Sequence, residues 1–183
     1  IKEEDLSNRV IKQYGHAIGH FNQVILNGPI TIKTLEREFL RFHLTLGGNR
    51  LIHHAGQYEE EKKQTLQQLF QYLFSDQAER DMAKDPVAVA SHVFVTLVNL
   101  QGFNDGNKRA ASLMMNYILL KNGYTPFILI DENVVAYRQL MNPSDTDEEF
   151  KVSEVRFQQF LKTQVRPAAG LEGKESKQEN PRP

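Results

Sequence analysis

Cysteine and tryptophan are both absent from this sequence of 183 residues. The lack of cysteine excludes disulfides, thiolate metal sites and cysteine nucleophiles. Acidic and basic residues nearly cancel to a formal net charge of -1, so no general affinity for nucleic acid or anionic membranes is predicted. No apolar run approaches the roughly 20 residues that a membrane-spanning helix needs. We therefore expect a soluble protein, in the cytoplasm or translocated as an effector.

The length suits one compact domain with its own core, followed by a tail. We expect an N-terminal helix that packs on the core at 1–28, the main helical domain at 29–165, and a flexible tail at 166–183. The tail is expected to be flexible because it has almost no apolar side chains to bury. The chain begins with Ile1 and has no signal-peptide pattern, which favours a trimmed or excised domain.

Apolar side chains recur at three- and four-residue spacing along most of the chain, which predicts an all-α fold. Asp85 and Pro86 are a typical helix start, with Asp as the cap and Pro in the first turn. The predicted helices cover residues 3–26, 31–46, 59–74, 85–100, 107–121, 132–141 and 147–164. Residues 50–56 lack a helical period and suit an exposed turn or hairpin, and residues 127–130 suit a short extended piece.

A polar loop that contains glycine, residues 101–106, separates two helices that are predicted to be buried. The second helix begins there, with unpaired backbone N–H groups and a positive dipole end. Lys108 and Arg109 add two cations where acids are normally favoured, which suggests a bound anion. Asp105 adds a carboxylate of the kind that holds Mg²⁺ beside phosphates. The loop therefore suits a Mg²⁺–nucleotide or phosphate site, although a plain turn with capping residues is an equally open interpretation of these residues alone.

Residues 101–109 read QGFNDGNKR and resemble the signature of the Fic/Doc (Fido) family, commonly HPFx(D/E)GNGR. The Doc branch of that family typically ends in NKR, as this segment does. The resemblance extends over about Thr31 to Ile130. It includes His92 on the helix before the loop, Phe42-His43 ahead of the glycine-rich turn at 47–50, and the stretch from Leu119 to Tyr124.

This resemblance implies an all-α Fic-like domain with a short β-hairpin flap at about Arg50 to His54, which would align a target chain by backbone pairing. It implies a transferase that moves AMP, or in Doc-like members the terminal phosphoryl group, from ATP or a related nucleotide to a Ser, Thr or Tyr hydroxyl of a protein. The family's inhibitory pattern has no match here, so any regulation would come from a partner or from sequence outside this chain.

The resemblance also assigns roles to the loop residues. Phe103 would anchor the loop in the core, and Asp105 would ligate Mg²⁺. Gly106 and Asn107 would build the cradle for the anion. Arg109 would pair with a nucleotide phosphate during catalysis.

Two positions depart from the family pattern. Gln101 stands where the family has its catalytic His, the base that takes a proton from the attacking hydroxyl; an amide does not titrate near neutral pH. A missing general base costs about 10²–10⁴ in rate, although Gln101 can still orient a hydroxyl by hydrogen bonding. Lys108 replaces the second motif Gly and either crowds the usual nucleotide pose or binds a phosphate itself. The alternative prediction is therefore an inactive Fic-like domain that binds a nucleotide or a protein.

Other candidate sites are weaker. His16 and His20 have a spacing that can hold Zn²⁺ on a helix, but no third ligand is evident. His53 or His54 could enter the site from the flap as a substitute base. His92 lies within an apolar helix and is interpreted as a hydrogen-bonded core residue. Neither a nucleophile elbow nor a full P-loop occurs in the sequence.

Overall fold

The computed structural model describes residues 3–46, 56–141 and 144–168. This part of the chain is nearly all helical, which confirms the predicted all-α fold. A 3-10 turn at Glu60–Lys62 precedes α3, and the α-helices are α1 (Glu3–Leu26), α2 (Ile32–Leu46), α3 (Lys63–Leu73), α4 (Asp76–Lys84), α5 (Pro86–Leu100), α6 (Asn107–Lys121), α7 (Asp131–Gln139) and α8 (Asp147–Gln164). Across these ranges, no helix has the length and hydropathy to cross a bilayer. The hairpin flap predicted at 50–54 lies outside the described residues.

Helices α5 and α6 form the centre of the fold. α5 is buried around most of its circumference and packs against α4, α6 and α8, as its apolar composition predicts. Its contact with α8 includes the rings of Phe94 and Phe157, stacked with centroids 4.4 Å apart. α1 lies along α2 and buries Ala17, Phe21 and Ile25. The loop that joins α5 to α6 is therefore held at both ends by buried helices.

The predicted cap of α5 is present. The Ala88 N–H donates to Asp85 Oδ1 at 3.0 Å, and Lys162 Nζ of α8 donates to Asp85 Oδ2 at 2.8 Å. Burial acts to raise the pKa of Asp85, but the hydrogen bonds from Lys162 and from the helix N-terminus outweigh it, so that the pKa of this carboxyl lies below its ordinary value. The ionised side chain thus ties the start of α5 to α8.

We expect Asp85→Ala to lower the free energy of unfolding by about 1 kcal/mol, because the Ala88 N–H loses its cap. The pKa of Asp85 is lowered in the folded state, so its negative charge adds to the free energy of unfolding. This contribution is fully present above the ordinary pKa of 3.8 and is lost as the pH falls through the folded-state pKa. Urea unfolding at pH 7 and near pH 3 measures both contributions. Asp85→Asn is the control, since it keeps the cap and loses the charge. Equal stability of the Ala variant and the parent at pH 7 would contradict the capping role.

Helix α4 is missing from the sequence prediction. It is short and polar, and it buries only Ala78 and Met82. Two apolar side chains are too few for a periodic pattern to stand out. Its one local signal is Ser75, whose Oγ accepts a hydrogen bond from the Ala78 N–H at 3.2 Å. The Ser75 cap is not followed by a stripe of apolar residues, and a cap alone was not enough to predict this helix.

Residues 166–168 run alongside the chain that follows α6. The Thr125 N–H donates to the Arg166 carbonyl at 2.8 Å, and the Ala168 N–H donates to the Gly123 carbonyl at 2.8 Å. An isolated antiparallel bridge joins Tyr124 to Pro167 between them. The chain is thus hydrogen-bonded to the domain up to residue 168, and the division at 1–28, 29–165 and 166–183 stays a prediction.

Candidate functional site

The loop leaves α5 through a residue with left-handed backbone geometry. Gln101 has φ 48° and ψ 53°, and its N–H donates to the Leu97 carbonyl at 3.3 Å. Side chains other than Gly rarely adopt this geometry, which costs about 1–2 kcal/mol and persists where the surroundings enforce it. The side chain of Gln101 is exposed. Gln101, which occupies the position of the expected base, therefore combines a strained backbone with an amide side chain that is exposed to solvent.

Gly102 passes close over the core. A Cβ atom on this residue would lie 2.6 Å from Leu66 Cδ1, and Leu66 is itself buried. The Gly102 carbonyl accepts a hydrogen bond from the Glu59 N–H at 2.8 Å. The absence of a side chain thus lets the loop lie against α3 and bond to the segment that precedes it.

We expect Gly102→Ala to lower the free energy of unfolding by about 1–3 kcal/mol, because the new methyl group overpacks against Leu66. Leu66→Ala removes that obstacle, so the double variant should be more stable than the sum of the two single effects predicts. Urea unfolding of the parent, both single variants and the double variant completes the cycle. Strict additivity would mean that the two side chains do not compete for this space.

Phe103 fills a pocket of rings in the core. It is buried, and its centroid lies 5.5 Å from that of Phe39 and 5.4 Å from that of Tyr58. The ring of His43 stacks on it at 3.7 Å with an interplanar angle of 7°. These neighbours come from α2 and from the segment 56–59. Phe103 therefore fixes the middle of the loop to two separate parts of the chain, the anchoring position that the motif implies for it.

Asn107 closes the loop with its side-chain amide. Its Nδ2 donates to the Phe103 carbonyl at 2.8 Å, and its Oδ1 accepts from the Phe103 N–H at 2.9 Å. Both amide atoms thus bond back to Phe103, and the side chain fixes the shape of the loop. The donors that would face an anion are then the backbone N–H groups at the start of α6, which lack partners within the helix.

Asp105 sits at the tip of the loop, next to the left-handed Gly106 with φ 78°. Its side chain is exposed, and Oδ1 accepts from the Gly106 N–H at 2.6 Å. Within 3–46, 56–141 and 144–168, no group of three or more His, Cys, Asp or Glu side chains is placed to hold a metal ion. A single carboxylate fits Mg²⁺ that is shared with nucleotide phosphates, since Mg²⁺ is commonly held by one or two carboxylates, phosphates and water.

Lys108 and Arg109 line a cleft of about 700 Å³ that is formed by α1, α6, α7 and residues 126–129. The cleft has the size of a small-molecule site. Most of its walls are apolar, with Ser112 and Asn116 of α6 among the polar groups. Asn116 also holds one wall in place, because its Nδ2 donates to the Phe127 carbonyl at 3.1 Å and its Oδ1 accepts from the Phe127 N–H at 2.8 Å. The arrangement suits a largely apolar ligand with an anionic end.

His43 is a site residue that the sequence analysis did not select. It is fully buried on the inner face of α2, and its Nε2 lies 2.6 Å from the Asp105 carbonyl. Burial lowers the pKa of His43 below its ordinary value, although the bond to the Asp105 carbonyl acts to raise it. Its signal in the sequence is a polar residue between Phe42 and Leu46, within the apolar stripe of α2.

The described histidines offer no substitute for the missing base. His20 Nε2 pairs with Glu38 Oε2 at 3.2 Å, and within the described ranges no group of three or more potential metal ligands includes His16 and His20. His92 is half exposed and pairs with Glu154 Oε1 of α8 at 3.2 Å, so its interpretation as a core histidine was wrong. The two candidate bases on the predicted flap, His53 and His54, lie outside the described residues.

Comparison with known sequences identifies relatives of this chain. A family model described as Fic/DOC family matches residues 4–119. The protein adenylyltransferase fic-1 of Caenorhabditis briggsae is 39% identical over 59 residues, which cover 32% of this chain and 12% of that protein. The protein adenylyltransferase Fic of Culex quinquefasciatus is 34% identical over 71 residues, 37% of this chain and 14% of that protein. The chain thus spans a small part of the length of these curated relatives.

Solved structures share the helical arrangement. A Fic domain-containing signaling protein from Bacteroides thetaiotaomicron has a TM-score of 0.66 at 18% identity, over 85% of this chain and 67% of that one. Fic-1 from C. elegans has a TM-score of 0.62 at 21% identity, over 85% of this chain and 50% of that one. At these identities the similarity shows the fold.

Proposed function

This chain belongs to the Fic/DOC family, and from that membership we propose that it is a nucleotide-dependent transferase that modifies hydroxyl groups of proteins. AMP transfer is the leading form, and Doc-like transfer of the terminal phosphoryl group is the other. One observation carries the proposal: a closed loop presents the exposed Asp105 carboxylate beside a helix N-terminus whose Lys108 and Arg109 face a cleft of about 700 Å³.

The chemistry of AMP transfer assigns a task to each of these groups. The hydroxyl oxygen of the target bonds to the α-phosphorus of ATP, the bond from that phosphorus to the oxygen leading to the β-phosphate breaks, and pyrophosphate leaves with the electron pair. Arg109 and Lys108 would balance phosphate charge. Gln101 would orient the hydroxyl, whose proton passes to water because an amide has no basic site at neutral pH. In Doc-like transfer the γ-phosphorus is attacked and ADP leaves.

Mg²⁺ fits the donor set of this loop. The Asp105 carboxylate would hold it together with phosphate oxygens, and when bound the ion neutralises charge on the transferring group. Loop closure by Asn107 supports this role, because it restricts the positions that the neighbouring carboxylate can take. The nucleoside would lie in the apolar cleft beyond Arg109.

An inactive Fic-like module that binds a nucleotide or a protein is the second candidate. Gln101 favours it, because His20 and His92 pair with glutamates, and His43, which does contact the loop, has both ring nitrogens hydrogen-bonded to backbone groups. The exposed carboxylate of Asp105 favours transfer, since a module that only binds gains little from a metal ligand. The two candidates differ in whether a covalent product forms.

Labelled ATP separates these possibilities. The protein is incubated with Mg²⁺, a cell lysate and ATP labelled at the α- or the γ-phosphate, with Gln101→His and Arg109→Ala run alongside. Protein labelled by the α-label alone supports AMP transfer, and labelling by the γ-label alone supports Doc-like phosphorylation. Labelling only with Gln101→His would show an intact scaffold that Gln101 silences. No labelling with either protein favours the binding module, and undiminished labelling with Arg109→Ala would contradict the role of the cleft.

A further inference from the structure

His43 joins three segments that are distant in sequence. It lies on α2, its ring stacks on Phe103 of the loop, and its two ring nitrogens contact backbone groups of Asp105 and Gly56. The side chain is fully buried. Burying an imidazole is unfavourable unless its polar atoms are hydrogen-bonded, and here each nitrogen has a partner.

The hydrogen bonds determine the tautomer of the ring. The Gly56 N–H donates to Nδ1 at 2.9 Å, so Nδ1 carries a lone pair and the proton of the neutral ring is on Nε2. Nε2 therefore donates to the Asp105 carbonyl, at 2.6 Å. The His43 ring thus accepts a hydrogen bond from the Gly56 N–H and donates one to the Asp105 carbonyl, which fixes its orientation.

Gly56 itself is held in a narrowly defined place. Its φ is +76°, and a Cβ atom there would lie 2.9 Å from Leu44 Cβ. Two further contacts of the same segment reach the loop, since the Glu59 N–H bonds to the Gly102 carbonyl and the Tyr58 ring packs on Phe103. The donor that sets the His43 tautomer therefore belongs to a segment that also contacts the loop directly.

We propose that His43 is a positioning residue that aims the Asp105 carboxylate. Its Nε2–H holds the Asp105 carbonyl, while the Gly106 N–H holds Asp105 Oδ1. The carbonyl of Asp105 and its Oδ1 are thus both fixed by hydrogen bonds. The orientation of the second carboxylate oxygen, Oδ2, is determined as a result. This inference rests on the proposed function, in which that oxygen binds Mg²⁺ with a nucleotide. Losing the partner that orients a metal ligand typically lowers metal affinity or activity about 10- to 100-fold.

Three substitutions separate positioning from packing. His43→Gln places an amide NH₂ near the former Nε2 and keeps a donor for Asp105. His43→Asn places its polar atoms near the former Nδ1 and keeps a partner only for Gly56. His43→Phe keeps the ring stacked on Phe103 and removes both hydrogen bonds. His92→Gln, on α5 where His92 pairs with Glu154 of α8, is the control for a His-to-Gln exchange outside the loop.

We expect His43→Gln to retain Mg²⁺·ATP affinity and transfer within about threefold, and His43→Asn and His43→Phe to lose about 10- to 100-fold. A role in packing alone predicts a different order, in which Phe is tolerated best and Gln and Asn are equally impaired. That order, measured by calorimetric Mg²⁺·ATP binding and by label transfer, would overturn the proposal. If the His43→Phe variant does not fold, as judged by thermal unfolding, the comparison of His43→Gln with His43→Asn decides between positioning and packing.

A third readout separates failure of this inference from failure of the proposed function. The backbone amide resonances of Asp105 and Gly106 report the loop directly, without nucleotide. They should shift in His43→Asn and stay near their parent positions in His43→Gln. If the parent protein neither binds Mg²⁺·ATP nor transfers label, the proposed function fails, and the resonances still decide whether His43 orients Asp105. Equal shifts in the Gln and Asn variants would refute the positioning role.

Discussion

Gln101→His is expected to raise the rate of label transfer by about 10²–10⁴. The variant adds a group that accepts the proton of the attacking hydroxyl, at the exposed first position of a loop that is closed by two hydrogen bonds between Phe103 and Asn107. The backbone should accept the change, because His adopts left-handed geometry more readily than most residues. The variant should also gain a pH dependence that the parent lacks, with a rate that rises through about pH 6.5 as the imidazole loses its proton.

Initial rates of transfer from labelled ATP, measured between pH 5.5 and 8.5, test this expectation. Gln101→Ala is the matched control, since it removes the amide without supplying a base. A rate below that of the parent would show that the Gln101 amide contributes by orienting the hydroxyl. An unchanged rate and a flat pH profile in Gln101→His would mean that the missing base is not what limits this protein.

Asp105→Ala is expected to weaken Mg²⁺-dependent nucleotide binding by about 100-fold, which corresponds to the loss of an interaction worth about 3 kcal/mol. No other carboxylate was identified in the loop or along the cleft in the described part of the chain, and the ion would then be held by phosphates and water alone. Binding without Mg²⁺ should change little, since Lys108, Arg109 and the start of α6 are untouched.

Asp105→Asn separates the charge of this residue from its part in the turn. Asn can still accept from the Gly106 N–H, which Asp105 Oδ1 does at 2.6 Å, and it has no negative charge. Calorimetric titration with ATP, in the presence of Mg²⁺ or of a chelator, compares both variants with the parent. If charge matters, Ala and Asn lose the Mg²⁺ effect equally. Undiminished Mg²⁺-dependent binding in the Ala variant would show that the metal site is assigned to the wrong residue.

The candidate site was predictable where its bonds are local. Asn107 bonds to Phe103, four residues away, and Asp105 bonds to the N–H of its neighbour Gly106. Short-range contacts of this kind depend on residue types at fixed spacing, so a nine-residue motif is enough to locate the loop. The cap at Asp85 was predictable for the same reason.

The remaining features depend on which elements meet. His43 reaches Asp105 across 62 residues of sequence, and nothing in the spacing of those residues indicates the contact. The fit of Gly102 against Leu66 likewise follows from the position of α3, and the cleft beside Arg109 exists because α1, α6, α7 and residues 126–129 line it together.

Local sequence thus established the helices other than α4, the cap of α5 and the residues of the loop, because hydrogen bonds and apolar stripes within a helix involve residues three or four positions apart. Packing established how the loop is held and what lies beside it. Those properties arise from side chains that are distant along the chain, and their contacts form only when the buried faces of several helices come together in one core.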